Sequence, residues 1–371
     1  MLGKRLRFAR EALGLRQADS AKHLGIVDSG ICDMESGRRD PKAAQLAALA
    51  DLYNRPVSFF FSEEPLPQEV VLWRGKPGAE GDGRRIQREF LSLCEDYQEL
   101  EEVTGQAVAS RLPEDSTPKE RFGYPQAESL ALRIWQEFDL GSAPAESLRQ
   151  VMEERYYVKT FALSLVHNTS AASTRSPRFG PATLLSRDNV HWRRNFDLAH
   201  ELFHLLTWRT FRSPQEQSSI EAEEYEESLA NCFASRLLLP ESPFQQSIEP
   251  FLDREGNPSI TVGQVHELAR SFDVSAEAVV YRCAGMLRWQ KDRTERVVEM
   301  VCASRIYREN RPVESLPSRY VALALQAYKQ GLISYRRAAR YLRKGFKEAQ
   351  DILETPGDDI QQDDQITIAA D

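Results

Sequence analysis

The chain has 371 residues, 41% apolar and 28% charged, which is room for two or three domains and a balance ordinary for proteins with a packed core and a watered surface. No apolar run approaches the roughly 20 residues needed to span a bilayer, and the opening MLGKRLRFAREALG lacks the uninterrupted apolar stretch of a secretion signal, so no membrane association is expected and the cytoplasm is the expected location. The net charge of −8 is unevenly spread, because residues 1–60 hold ten Lys and Arg against seven Asp and Glu, leaving about −11 for the rest.

Residues 3–61 read as four or five short helices. Leu6, Ala9 and Leu13 supply one apolar stripe, Ala21 and Leu24 a second, Ile31 and Met34 a third, and Leu46, Leu49, Ala50 and Tyr53 a fourth. Gly14, Gly25 and the stretch from Gly37 to Pro41 punctuate them. The run LGLRQADSAKHLGIVDSGICDMESGRRDP resembles the Cro/C1-type (XRE) repressor family, which implies an all-α helix-turn-helix domain over residues 1–62. Arg16, Gln17, Asp28, Ser29, Asp33 and Arg38 are the candidate contacts to duplex DNA. The basic surplus permits DNA binding, yet Asp28 and Asp33 would repel phosphates, although a carboxylate can accept from cytosine N4. Gly30 also weakens the third helix, by up to about 1 kcal/mol relative to Ala. Protein docking or dimerisation is the competing use of the module.

Residues 63–124 read as a linker and helical arm: SEEPLPQEVV is proline-punctuated, RGKPGAEGDG is a loop, and Arg85 to Val103 is an amphipathic helix with Phe90, Leu91, Cys94, Tyr97 and Leu100 inward. A second domain is expected from about Pro125, with helices at AESLALRIWQEF and AESLRQVMEE, a strand in RYYVKTFALSLV, and another in GPATLLSRDNV that enters the next helix. His167 and His191 fall near these strands. Either is a candidate to assist a substrate oxyanion, with a packing role as the more ordinary use.

Phe196 to Leu206, FDLAHELFHLL, places His200 and His204 four residues apart with Glu201 between them. Residues four apart on a helix lie about 40° from each other around its axis, so both imidazoles leave one face and can share a metal. This is the HExxH zinc motif, in which the Glu is the base. A third ligand is expected from the acid-rich helix Ile220 to Leu239. Glu227 shares a face with Ala230, Asn231 and Ala234, and Asn231 is placed to support a ligand by hydrogen bonding; Glu223 and Glu224 compete for the ligand role.

RRNFDLAHELFHLL followed by EESLANCFASRLLLP resembles the ImmA/IrrE metallopeptidase family. The resemblance implies His200, His204 and Glu227 as metal ligands and Glu201 as the catalytic glutamate, with Zn²⁺, exchangeable with Mn²⁺, as the cofactor. The chain departs from the family at Asp197, where Thr is common, and at Phe203, where Gly is frequent and where a bulky ring is expected to alter the cleft.

The core, residues 125–245, is therefore expected to be a small α+β unit in a mainly α protein. Residues 246–355 read as a helical C-terminal extension: TVGQVHELARSFDVSAEAVVYRCAGM as a helical hairpin capped by Ser275, His266 as structural, and Ser318 to Lys347 with eight Lys and Arg and no acid, Ser334 capping a helix with Ala338, Ala339 and Leu342 inward. The basic run is read as a solvated face or an intramolecular partner for acidic residues. Residues 356–371 are an acidic tail expected to be disordered. Cys32, Cys94, Cys232, Cys283 and Cys302 are odd in number and without CxxC spacing, which predicts free thiols. By resemblance the expected partner is a protein substrate, a transcriptional repressor or other helix-turn-helix protein cleaved in a stress or mobile-element response, and a homodimer is compatible with the sequence. The alternatives are a helix-turn-helix regulator with a non-proteolytic metal-binding sensor domain and a toxin or defence component.

Overall fold

The computed structural model describes residues 2–12, 15–53, 55, 57–62, 70–75, 82–165, 169–212, 224–251, 260–304, 306, 308–345 and 348–349. His167, Glu223 and the acidic tail lie outside them. Five helices open the chain: α1 (Leu2–Ala12), α2 (Gln17–Leu24), α3 (Asp28–Ser36), α4 (Ala43–Tyr53) and α5 (Val57–Phe61). They enclose a core of their own, with Leu6, Ile31, Met34, Leu49, Tyr53 and Phe60 at its centre. Gly25 and Gly37 close α2 and α3 in the left-handed region, at φ 63° and 75°, where a side chain would be strained. Gly3 serves a different need, since a Cβ there would lie 2.5 Å from the Met34 carbonyl oxygen and push α1 off α3. Arg10 grips the buried Glu35 with two nitrogens, and Tyr53 donates to the Ser20 hydroxyl at 2.8 Å.

The remaining elements are β1 (Val71–Arg74), α6 (Asp82–Val103), α7 (Tyr124–Glu137), α8 (Pro144–Gln150), β2 (Lys159–Leu163), β3 (Ala171–Ser176), β4 (Gly180–Ser186), α9 (His191–Leu206), α10 (Trp208–Phe211), α11 (Glu224–Leu238), α12 (Glu241–Ile248), α13 (Val262–Ser271), α14 (Ala276–Met286), α15 (Lys291–Ala303), α16 (Ser318–Lys329) and α17 (Tyr335–Tyr341). The described residues are thus mostly helical with one small mixed sheet, ordered β1-β3-β4-β2. β3 pairs antiparallel with both β1 and β4, and β2 runs parallel to β4. In the register, Arg74 stands opposite Ala171. α9 packs on β3 and β4, and α11 packs between α9 and α7. The caps follow the sequence: Ser275 accepts from the Ala278 amide at 3.1 Å and Ser334 from the Arg337 amide at 3.3 Å, each cap worth about 1 kcal/mol.

Two strands depart from expectation. β1 occupies the end of the proposed linker and the first residue of the proposed loop; its three apolar residues are buried against β3, and four residues between a Pro-rich stretch and a Gly-rich one carry too short a pattern to read as a strand. β3, AASTRS, is small and polar yet almost wholly buried, because its place between β1 and β4 covers both of its edges. In α6 Phe90, Cys94, Tyr97 and Leu100 face inward as expected, but Leu93 rather than Leu91 joins them in the core, Leu91 being half-buried.

The contacts divide the chain into two units, residues 1–98 with 108–317, and residues 99–107 with 318–371. In the second unit Tyr320, Leu323, Ala324, Ala338, Tyr341 and Leu342 are buried. Arg319 pairs there with Glu101 and Arg337 with Glu99, while the Tyr341 hydroxyl donates to Glu99 at 2.6 Å. Part of the basic run is therefore balanced internally, by the acidic end of α6.

Candidate metal centre

α9 is buried over most of its length, and Ala199, Leu202, Phe203, Leu205 and Leu206 fix its inner side in the core. His200 and His204, at 0% and 2% exposure, leave the helix side by side with their Nε2 atoms 3.2 Å apart. Glu227 on α11 meets both: one carboxylate oxygen is 3.2 Å from His200 Nε2, and the other is 3.3 Å from His204 Nε2. These three form the only such group of possible ligands among the described residues. Tetrahedral zinc with bonds of about 2.0–2.1 Å sets its ligand atoms about 3.3 Å apart, and the three separations lie near that value, the two to Glu227 being made by its two different oxygens.

The other ring nitrogens are occupied. His204 Nδ1 lies 2.9 Å from an oxygen of Glu226, which is itself held by two nitrogens of Arg212 at 2.8 Å. His200 Nδ1 lies 3.1 Å from Asn231 Oδ1. Both Nε2 atoms are thereby left to face Glu227, and the outer acceptors orient rings whose lone pairs point at one place. Glu201 is 1% exposed, and neither carboxylate oxygen has a hydrogen-bond partner of ordinary geometry, although Ser173 on β3 lies near enough to favour its charged form. A buried carboxylate with no donor is costly unless something else completes it. The donor set and the orphaned carboxylate together fit a divalent cation and its water.

The electrostatics set the two rings apart, and a cation at the site would have to displace a proton from His204. Burial dominates at His200 and lowers its pKa to about 3, keeping the imidazole neutral, and burial raises the Glu201 carboxyl to about 7. At His204 burial acts in the same direction as at His200, but Glu226 and Glu227 outweigh it and bring the ring to about 9. Glu227 is held well below the usual carboxylate range, because the two imidazoles overcome its burial.

Of the other candidates, Glu224 is exposed at the start of α11 and takes no part in the group. Phe203 does not reach the cleft: it is wholly buried against the rings of Phe122, Phe211 and Phe233. His191 opens α9, nine residues before His200, and bonds to Asp273 at 3.0 Å, which puts it about 13 Å away along the helix axis. Its role is to anchor the start of α9. His266 bonds to Ser304 at 2.8 Å. Two contributors escaped the sequence reading: Glu226, one residue from the proposed ligand, and Arg74 on β1, which donates to Asp197 at 2.6 Å and to Asn231 at 3.0 Å.

In the N-terminal module Asp28 and Ser29 are exposed at the start of α3. Asp33 faces Arg38 at 3.0 Å and Arg16 pairs with Asp19 at 3.4 Å, both arginines remaining largely exposed. Gln17 turns inward and donates to Glu35 at 2.8 Å. Among the described residues no helix is long and apolar enough to cross a membrane.

Residues 153–284 match the peptidase family described as the IrrE N-terminal-like domain, and residues 1–58 match a family described as a helix-turn-helix domain. An HTH-type transcriptional regulator from Sinorhizobium medicae is 36% identical over 64 residues, 17% of this chain and 46% of that protein. The HTH-type transcriptional regulator ImmR of Bacillus subtilis is 31% identical over 68 residues, 18% of this chain and 54% of that one. The matched segment thus spans about half the length of these relatives. Among solved structures, a Mycobacterium tuberculosis transcriptional regulator aligns over 52% of this chain and 51% of its own at 16% identity and a TM-score of 0.31. Bacillus thuringiensis PlcR, in complex with a peptide and DNA, aligns over 90% and 99% at 13% identity and a TM-score of 0.16.

Proposed function

Because the chain joins a helix-turn-helix domain to an IrrE N-terminal-like domain, we propose that it is a zinc-dependent regulatory metallopeptidase that cleaves a transcriptional repressor or another helix-turn-helix protein. The observation that carries this reading is the triangle of His200, His204 and Glu227 beside an unpartnered Glu201. His200, His204 and Glu227 would hold the zinc. When bound there, the ion supplies Lewis acidity, bringing the pKa of water to about 7 and polarising a peptide carbonyl. Glu201 takes the proton of the attacking water, and the same carboxyl then delivers it to the departing amine. Asn231 and Glu226 keep the two rings oriented, and the burial of Glu201 keeps bulk water from competing for its proton.

The test is incubation of the purified chain with candidate repressors, zinc-loaded and metal-stripped. A metal-dependent cut at one peptide bond, with both new termini identified by mass spectrometry, is the expected result. Intact repressor under every condition would favour the sensor reading.

The N-terminal module supplies the second reading, transcription regulation through DNA. It is favoured by the basic surplus of residues 1–60 and the exposed Arg16 and Arg38. Asp28 and Asp33 oppose it. Changing both to Asn in the full chain removes two repulsive charges and releases Arg38 from its partner, so affinity for generic duplex should rise roughly three- to tenfold at low salt, with a steeper salt dependence. Mobility shifts at two salt concentrations decide it. Tight sequence-selective binding by the wild type that vanishes in the double variant would instead place the carboxylates on base edges.

A further inference from the structure

His200 can give a metal its Nε2 lone pair only if the ring hydrogen sits on Nδ1. The atom facing Nδ1 must then be an acceptor, and that atom is the Asn231 amide oxygen, at 3.1 Å. An Asn amide is nearly symmetric in shape, however. Turned over, it would present its NH₂ group to the ring and favour the opposite tautomer, with hydrogen on Nε2 and no lone pair for a metal. Asn231 is exposed and sits on α11, so burial of its own side chain does not hold the amide one way round.

Arg74 supplies the missing constraint. A guanidinium has only donors, and its Nη2 lies 3.0 Å from the same Asn231 oxygen. With Arg74 in place, the amide nitrogen cannot occupy that position without setting donor against donor. Arg74 is in turn fixed at its other nitrogen by Asp197, 0% exposed, at 2.6 Å, and its guanidinium lies over the Phe196 ring at 5.0 Å. Asp197 is further held by Arg193 at 3.1 Å, by the Ser170 hydroxyl at 3.2 Å and by Asn189 at 3.3 Å. The result is a chain of fixed polarity from Asp197 through Arg74 and Asn231 to His200.

We infer that Arg74 is a positioning residue of the metal centre, which sets the Asn231 amide and thereby the metal-binding tautomer of His200. The inference rests on the metal-centre reading above. It carries a consequence for domain organisation: Arg74 lies on β1, in the arm that follows the helix-turn-helix module and outside residues 153–284, so the peptidase domain does not contain everything its metal site needs. The chain's Asp197, in place of the Thr common in the family, supplies the buried anion that aims this guanidinium.

The experiment uses the full chain. Arg74→Met keeps length and apolar bulk and removes the donors; zinc affinity, measured by chelator competition, should fall about tenfold, in the range seen for outer partners of metal ligands. In the zinc-loaded protein the His200 Nδ1–H should exchange slowly with solvent in the wild type, where Asn231 accepts from it, and markedly faster in the variant, while the His204 Nδ1–H, held by Glu226, is unchanged. Arg74→Lys, still a pure donor, should recover most of the affinity. Asn231→Asp offers oxygens on both sides and needs no orientation, so in that background Arg74→Met should cost little. A full tenfold loss in the Asn231→Asp background, or unchanged affinity and Nδ1–H exchange in Arg74→Met alone, overturns the proposal. Should Arg74→Met fail to fold, the zinc-loaded wild type decides: a His200 Nδ1–H that exchanges as freely as that of an exposed imidazole overturns it equally. Absence of zinc binding by the wild type is a different failure, that of the metal-centre reading.

Discussion

Glu201→Gln should abolish cleavage while leaving the fold and the bound metal intact. The substitution is close to isosteric, and the residue is not one of the three donors that converge, so metal content should match the wild type. What is lost is the ability to take a proton from water and return it to the leaving amine, a contribution of about 10²–10⁴ in rate. KM should change little, because the carboxylate acts on water rather than holding substrate. Stability should not suffer either: both oxygens of Glu201 are buried without a partner of ordinary geometry, and burial, outweighing the pull of His204, Ser173 and Arg74, lifts its pKa to about 7, so a neutral amide replaces a carboxylate that its surroundings solvate poorly. The measurements are single-turnover cleavage of the identified substrate, metal analysis and thermal melting on the same preparation. In cells, a repressor that disappears with the wild type should persist with the variant. A regulatory response unchanged by Glu201→Gln would sink the peptidase reading and leave metal-dependent sensing in its place.

The parts of the site visible in the sequence are those set by local periodicity. His200, Glu201 and His204 lie within one turn and a half of α9, so their spacing alone brings both rings to one face. Glu227 and Asn231 are four apart on α11 and share a stripe for the same reason. Glu226 is another matter. Adjacent helical residues point about 100° apart, and which of two neighbouring acids reaches the metal and which reaches the back of His204 is set by the crossing of α9 and α11, which no residue pattern in either helix records. Arg74 is more remote still, 123 residues from Asp197 in sequence, on a four-residue strand whose pairing with β3 is its only reason to be a strand. The same limit applies in the helix-turn-helix module, where the helices follow from their apolar stripes but the inward turn of Gln17 depends on the buried Arg10–Glu35 pair that it joins. At Phe203 the family comparison suggested a bulky cleft residue, and three surrounding aromatic rings place it in the core instead.

One divalent ion per chain should be found in the wild type, and removing either kind of donor should cost the site its ion. His200→Ala removes an imidazole that is neutral and wholly buried. Glu227→Ala removes the only carboxylate in the donor group and with it the anion that balances the cation. Outer partners of metal ligands cost 10–100-fold in affinity when removed, so a direct donor should cost more than about 100-fold. Either variant should therefore lose the ion on dialysis against a weak chelator that leaves the wild type loaded. Thermal melting provides an independent reading, since ligand at about 100 times its dissociation constant adds about 2.7 kcal/mol to stability: zinc should raise the melting temperature of the wild type by several degrees and that of either variant hardly at all. Glu224→Ala is the control, because Glu224 is exposed at the first turn of α11 and faces neither histidine; it should bind zinc as the wild type does. Full metal content in Glu227→Ala alongside its loss in Glu224→Ala or Glu223→Ala would mean that the acidic helix presents a different carboxylate to the histidines when metal is bound, and the assignment of the third ligand would be wrong.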